Sequence, residues 1–335
     1  MQSVEKKKRD VTLDVAKGIL IFLVVWGHAI QFGFGYEYGE AYQCFNDYIY
    51  RWIYSFHMPL FMAISGYLYF YSNQRPFAVA IISRLRSIGI PYLIYCTIKV
   101  MVLLPTVIWG GQELAEILST YENGFWFLPS VLFNCMLISA ITKITRRKSW
   151  VVTLLLLSTI LLLITPDEII GGLYRCMYMC FVIGYTYNLI TGRPFAIKRY
   201  GLSLLPLIIG GMIICAFAYK GWMYIYTTDF RMLERYAIAL LGSICFMSIV
   251  AWHTNLNNKL KLLICNLSRY SLGIYCLSVI IQTVYYKILG NLDINLEHNY
   301  IYPVFLSFVI TCVSYKILNF CEDKRILNKL LLGGR

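Results

Sequence analysis

The sequence predicts an all-α protein, a polytopic membrane bundle of about ten transmembrane helices with both termini in the cytoplasm. Apolar runs of roughly 17 or more residues recur along the whole chain, as helices that cross a bilayer require. Hydrophobic residues make up 59% of the 335 residues and charged residues 14%, whereas charged residues are about 25% of soluble domains. We therefore expect residues 1–335 to form a single integral-membrane domain, with short basic tails at 1–12 and 319–335.

Ten spans can be assigned in chain order from hydropathy and from the breaks between apolar runs. They are 13–33, 50–71, 87–108, 124–143, 150–166, 170–190, 201–219, 234–253, 269–288 and 300–318. The first run is long, and no small-residue cleavage site follows Trp26-Gly27-His28. We therefore expect a transmembrane helix there and no cleaved signal peptide.

Basic residues fix the expected orientation. With the amino terminus in the cytoplasm, most of the 30 lysines and arginines fall in cytoplasmic segments, where basic loops are retained. The net charge of +13 is thus a positive-inside pattern. It indicates contact with membrane lipids and does not indicate a nucleic-acid partner.

The eleven cysteines mostly fall inside the predicted spans and show no paired spacing. Cys176 and Cys180 are one helical turn apart, but no histidine or acid stands near them to complete a metal site. We expect small packing residues and no bound metal.

The first span carries three ionisable residues, Asp14, Lys17 and His28. At roughly 100° per residue, Lys17 lies about 20° and Asp14 about 40° from His28 around the helix, so the three share one stripe. Ionisable groups at membrane depth cost about 3 kcal/mol each on insertion scales and usually mark function. A neutral imidazole can deprotonate a hydroxyl, although a buried histidine satisfied by a neighbour would also explain the residue.

A second polar cluster lies in the next span, where His57 and Ser65 stand within Phe56-His-Met-Pro-Leu-Phe and Ser65-Gly-Tyr67. Arg84 and Arg86 follow at the cytoplasmic start of span 87–108. They are either positive-inside anchors or, together with Lys17, a pocket for phosphates, to which arginine forks are well suited.

Aromatic residues mark the outer ends of several spans. Trp126 lies in Gly124-Phe-Trp-Phe-Leu-Pro129, at the start of span 124–143. Such residues form an interfacial belt, and their faces can also stack on sugar rings. Glu234 and Arg235 open span 234–253 at the same face, where we expect snorkelling anchors.

In these residues the chain resembles the acyltransferase 3 family of integral-membrane acyltransferases. Five patches agree in order, from the first span to the ninth, so the resemblance covers most of the chain. They are Lys17 with His28, Phe56-His-Met-Pro-Leu-Phe with Ser65-Gly-Tyr67, Arg84 and Arg86 before Ile90-Pro-Tyr92, Trp126-Phe-Leu-Pro129, and Ser271-Leu-Gly-Ile-Tyr275.

The resemblance implies transfer of an acyl group, usually acetyl from acetyl-CoA, to a hydroxyl of a glycan or another cell-envelope molecule. It implies His28 as catalytic base or acyl relay, and Lys17, Arg84 and Arg86 as the residues that meet the donor's phosphates. We add Asp14 to the catalytic group and assign acceptor binding to His57, Ser65 and Trp126. The expected location is the cell membrane, which in a bacterium is the inner membrane.

Two positions depart from the family's pattern. Many relatives have arginine where this chain has Lys17, and many have a histidine where this chain has Ser278.

The main alternative function is export or flipping of a glycan or small molecule without chemistry, and a third is a receptor for a small ligand. Transporters usually show repeated halves, and no such repeat is visible here. The sequence leaves open the acceptor, the choice between acetyl and succinyl, and the oligomeric state.

Overall fold

The computed structural model describes residues 10–33, 41–110, 121, 124–145, 147–166, 169–192, 202–221, 223, 231–291 and 300–334. Every regular element in these ranges is helical, which confirms the all-α class. Six helices are long and apolar enough to cross a bilayer, namely Val11–Gly33, Phe77–Val102, Phe127–Ile144, Met232–His253, Ser271–Gly290 and Ile301–Glu322. The protein is therefore a multi-pass membrane bundle, and the count of ten crossings stays a prediction.

Each of the ten predicted spans coincides with one helix, and the boundaries differ by a few residues. The α-helices in the described ranges are α1 Val11–Gly33, α2 Tyr48–Asn73, α3 Phe77–Arg84, α4 Ile90–Gly110, α5 Phe127–Ile144, α6 Lys148–Ile164, α7 Gly172–Thr191, α8 Leu205–Ala218, α9 Arg231–Val250, α10 Asn258–Arg269, α11 Ser271–Asn291, α12 Ile301–Glu322 and α13 Arg325–Leu331. A π-helical turn, Leu85–Gly89, joins α3 to α4.

Two helices lie in predicted loops between spans. Helix α3 lies between the second and third spans and leads into the third, and α10 lies between the eighth and ninth. The twelve residues of α10 combine basic side chains with leucine and isoleucine, a pattern too short and too polar for a membrane span. It packs closely on α1, because a Cβ added at Gly18 would lie 2.1 Å from the Ile264 carbonyl oxygen. This contact holds α10 against the end of the bundle that carries Lys17.

The segment expected to be a basic tail, 319–335, is also largely helical. It contains the end of α12 and the short helix α13, which packs back toward α4. The Tyr95 hydroxyl donates to the Leu331 carbonyl at 3.4 Å. Gly333 has a φ of 72°, and a Cβ there would lie 2.5 Å from the Ser87 Cα, so glycine is required both by the left-handed backbone and by the close approach.

Helices α2 and α7 cross at van der Waals contact of their backbones. A Cβ added at Gly66 would lie 2.0 Å from the Phe181 carbonyl oxygen, and one added at Gly184 would lie 1.8 Å from the Ala63 carbonyl oxygen. Small residues at helix crossings permit such close approach inside a membrane. Gly66 therefore serves packing, while its neighbour Ser65 faces elsewhere.

We expect Gly184→Ala to lower the melting temperature of the detergent-solubilised protein, because its methyl group would overlap a backbone carbonyl. Overpacking of this kind costs about 1–3 kcal/mol. Gly210→Ala is the matched control, since a Cβ at Gly210, also inside a helix, meets no atom within 4 Å. Equal melting temperatures for the two variants would contradict the close crossing.

Candidate active site

A cavity of about 270 Å³ lies between α1, α2, α5, α11 and the segment from Arg84 to Ile88. Most of its lining is apolar. Its polar lining residues are Lys17, Ser65, Tyr69, Arg84, Ser87, Cys135, Ser271 and Tyr275. Three of the predicted site residues, Lys17, Ser65 and Arg84, are thus brought to one cavity from three different parts of the sequence.

One end of the cavity is cationic. Besides Lys17 it contains Arg84, whose guanidinium donates to the Ser72 hydroxyl and lies 5.2 Å from the centre of the Tyr69 ring. The Nε of Arg84 is buried and has no hydrogen-bond partner among the described residues. A fixed guanidinium with spare donors can receive an anion such as a phosphate.

Arg86 does not join Lys17 and Arg84 in the cavity. It is exposed and is not among the lining residues. The reason is geometric, because side chains two positions apart on a helix do not share a face. The cationic pocket predicted from three residues is thus formed by Lys17 and Arg84.

The helix α1 leads from the cationic end to His28. Lys17, Ile21 and Val24 line the cavity, and His28 continues the same row one turn beyond Val24, about 6 Å along the axis. The rings of His28 and Tyr275 lie 6.1 Å apart, and Tyr275 is itself a lining residue. The imidazole therefore stands just past the end of the cavity, in contact with its wall.

A polar network surrounds His28. The Gln31 side chain forms a hydrogen bond with its ring and accepts another from the Tyr54 hydroxyl at 3.1 Å. Tyr54 approaches because Gly27 has no side chain, since a Cβ there would lie 2.8 Å from the Tyr54 ring. The glycine before the histidine thus admits a tyrosine that holds Gln31 in place.

His57 belongs to this network and does not line the cavity. It is 2% exposed, and its Nδ1 donates to the Ile53 carbonyl at 2.6 Å. Its ring meets the Tyr54 ring edge-on at 4.7 Å and interacts electrostatically with His28. This position favours support of the His28 site over the direct acceptor contact that we assigned to His57 from the sequence.

Lys99 on α4 was not among the predicted site residues. Its charge lies close enough to interact with His28, and its Nζ stands 5.7 Å from the centre of the Phe125 ring. No carboxylate in the described ranges forms an ion pair with it. The signal in the sequence was the same as for His28, a charge inside an apolar run.

The Gly124–Pro129 segment contributes its phenylalanines to the site. The Phe125 and Phe127 rings lie 5.9 Å and 6.3 Å from the Tyr275 ring, so they fix the tyrosine that contacts His28. Trp126 is half-buried, and Phe127, not Trp126, lines the cavity.

Asp14 lies at the other end of α1 from His28. Its carboxylate accepts a hydrogen bond at 3.1 Å from the hydroxyl of Ser268, which lies in α10. Fourteen residues of helix separate it from His28, about 21 Å, so the structure does not bring the two together.

Ser278 stands where many relatives have a histidine. It is fully buried, and its hydroxyl donates to the Tyr275 carbonyl of its own helix at 2.9 Å. One turn further, the Gln282 amide donates to the Val25 carbonyl of α1 at 3.1 Å. Helix α11 is thus tied to α1 by a glutamine beside His28, a contact that the sequence did not indicate.

The chain matches a protein-family model and is similar to known proteins. The acyltransferase domain family model matches residues 10–318. The chain is similar to nodulation protein NolL of Mesorhizobium japonicum, with 32% identity over 221 residues, 64% of this chain and 57% of that protein. It is also similar to nodulation protein NolL of Sinorhizobium fredii, with 32% identity over 184 residues, 53% of this chain and 49% of that protein. The chain spans about half the length of these curated relatives, and no solved structure matches it.

Proposed function

The chain belongs to the acyltransferase 3 family of membrane acyltransferases, and we propose that it transfers an acetyl group from acetyl-CoA to a hydroxyl of a cell-envelope or extracellular glycan. The observation that carries the proposal is the cavity that runs from Lys17 and Arg84 to Tyr275, the neighbour of His28. An anionic donor with a long arm matches a channel that is cationic at one end and has a basic imidazole at the other.

Lys17 and Arg84 bind the phosphates of coenzyme A in this proposal. The arm that carries the thioester then follows Ile21 and Val24 toward His28, a distance of about 16 Å along the helix. With the amino terminus in the cytoplasm, as the basic residues predict, the cationic end opens to the compartment that contains acetyl-CoA. The protein would then lie in the cell membrane, in a bacterium the inner membrane.

His28 acts as the general base. One ring nitrogen is bonded to Gln31, and the other accepts the proton of the acceptor hydroxyl while that oxygen attacks the thioester carbonyl. The carbonyl electrons move to the carbonyl oxygen, and the Lys99 ammonium stabilises the negative charge that develops there. When the C–S bond breaks, the coenzyme A thiolate takes the proton from His28, and the acetyl ester is released.

The acceptor is proposed to enter from the end of the bundle where α2 begins. Of the acceptor contacts proposed from the sequence, we keep Ser65, which lines the cavity, and Trp126, whose ring lies 6.1 Å from that of Phe127. His57 is proposed to support the His28 site through Tyr54. Asp14 is proposed to position the start of α1 through Ser268, because it lies too far from His28 to exchange a proton with it.

The test is transfer or hydrolysis of radiolabelled acetyl-CoA by the purified protein in detergent. We expect acetate release without acceptor and acetylated product with a hydroxyl-rich oligosaccharide, identified by the mass of an added acetyl group. A protein that neither transfers nor hydrolyses acetyl, yet moves the oligosaccharide into vesicles after reconstitution, would be the exporter.

Arg84 and Arg86 offer a matched pair for the donor site. We expect Arg84→Ala to raise the KM for acetyl-CoA by about 10- to 100-fold, since hydrogen bonds to charged groups contribute about 1.5–3 kcal/mol. Arg86→Ala should leave the KM nearly unchanged, because Arg86 is exposed outside the cavity. Equal effects of the two substitutions in steady-state kinetics would place the phosphate site elsewhere.

A further inference from the structure

Arg235, in the first turns of α9, is 4% exposed, so its expected role as a snorkelling anchor is wrong, whereas Glu234 beside it is exposed. The Nη1 of Arg235 is buried without a hydrogen-bond partner in the described part of the chain. A buried cation without a counter-charge is costly. The positive end of the helix dipole adds to that cost.

The neighbours of Arg235 in the described ranges supply hydrogen-bond donors and no negative charge. Tyr219, Tyr236, Cys176 and Cys180 are close enough to interact with it electrostatically, and phenols and thiols are mostly neutral at pH 7. The Tyr236 hydroxyl donates to the Cys176 carbonyl at 3.1 Å. The Tyr219 hydroxyl is buried and, like the Arg235 Nη1, has no partner among the described residues.

Two other arginines near this end of the bundle donate hydrogen bonds to backbone carbonyls at helix ends. Arg51 donates to carbonyls at the end of α8, and Arg175 donates to carbonyls at the end of α6. Cations at helix carboxyl ends satisfy the last carbonyls and the dipole. Arg235 bonds to no such carbonyl in the described ranges, which leaves its guanidinium for a ligand.

An apolar groove begins beside Arg235. A cavity of about 670 Å³ extends along α2, α7 and α9 and includes Tyr236 and Cys180, both neighbours of Arg235, as well as Ser248 toward the other end of α9. Twelve residues separate Tyr236 from Ser248, about 18 Å, more than half of a bilayer core of about 30 Å. Leu240 and Ile244 line it and are 60% and 55% exposed, so the groove opens toward lipid.

We propose that Arg235 and this groove bind a membrane lipid with a phosphate headgroup. The phosphate oxygens accept hydrogen bonds from the Arg235 guanidinium and the Tyr219 hydroxyl, and an acyl chain lies along the groove. The arginine guanidinium matches phosphate geometry. The apolar lining of the groove suits a hydrocarbon chain and does not suit a sugar. The lipid thus supplies a negative charge that the described residues do not provide around Arg235.

The test compares dioleoyl phosphatidic acid with dioleoylglycerol, which has the same chains and no phosphate. Native mass spectrometry of the detergent-solubilised protein should show at least tenfold tighter binding of phosphatidic acid. Arg235→Gln should reduce that affinity to the level of dioleoylglycerol. Lys220→Gln, which removes an exposed cation next to Tyr219, is the matched control and should keep the preference.

A second variant tests the groove while Arg235 is kept. Ser243→Phe fills the lining and should weaken binding of both lipids, so the proposal can be judged even when Arg235→Gln does not fold. Unchanged binding of phosphatidic acid in either variant would overturn the proposal. A thermal stabilisation by inorganic phosphate alone as large as that by phosphatidic acid would also overturn it, because the site would then bind a free anion and no lipid.

Discussion

Replacing His28 with alanine is expected to reduce acetyl transfer by about 10²- to 10⁴-fold, the range that a positioned general base contributes. The cause is specific, since the acceptor hydroxyl would lose the group that takes its proton beside Tyr275. The KM for acetyl-CoA should change little, because the proposed mechanism assigns the donor's phosphates to Lys17 and Arg84 at the other end of the cavity. Single-turnover transfer from labelled acetyl-CoA measures the chemical step directly.

His253→Ala is the control for this substitution. His253 is half-buried in the 3-10 turn Ala251–Asn255 that follows α9, and its Nδ1 lies 3.0 Å from the Val250 carbonyl oxygen, away from the cavity. The control should transfer acetyl at the wild-type rate. A His28→Ala protein that inserts, elutes as a single species and retains full activity would remove the base assignment.

Lys99→Met is expected to lower kcat by about 10²- to 10³-fold, the loss seen when one stabilising group for an oxyanion is removed. Methionine keeps the length of the side chain and removes the charge next to His28. In the proposed mechanism Lys99 does not contact the donor in the ground state, so the KM for acetyl-CoA should stay near the wild-type value. Steady-state kinetics separates the two parameters.

Lys316→Met is the control, because Lys316 also lies in an apolar helix, α12, but is exposed away from the site. Its kcat should equal the wild-type value. A rise in KM with an unchanged kcat for Lys99→Met would assign Lys99 to substrate binding and contradict its role in the transition state. Lys99→Arg, which keeps the charge, should recover part of the lost rate.

The helices that cross the membrane could be predicted because hydropathy acts over the length of a span. All ten predicted spans correspond to helices, whereas α3, α10 and α13 were missed, since segments of twelve residues or fewer are too short to be identified as spans from hydropathy. Their positions depend on contacts such as Gly18 with Ile264, which join residues far apart in the sequence.

The candidate site could be predicted where one helix carries the pattern. Lys17 and His28 share the face of α1 that lines or continues the cavity, because eleven residues are close to three full turns. Lys99 and Gln282 could not be placed beside His28 from periodicity, since each lies on another helix and its direction depends on packing. Arg235 was misjudged for the same reason, because burial of a helix start depends on the neighbours it meets.

The close helix crossings limit how the donor can reach His28. Gly66 and Gly184 lock α2 to α7, and Gly18 locks α1 to α10, so each pair moves only as a rigid block. One wall of the cavity is the stretch that contains Arg84 and the π-helical turn Leu85–Gly89, where the hydrogen-bond ladder changes register. Gly333 packs on Ser87 of this turn, so we expect the turn and the end of the chain after α13 to move together when the donor enters.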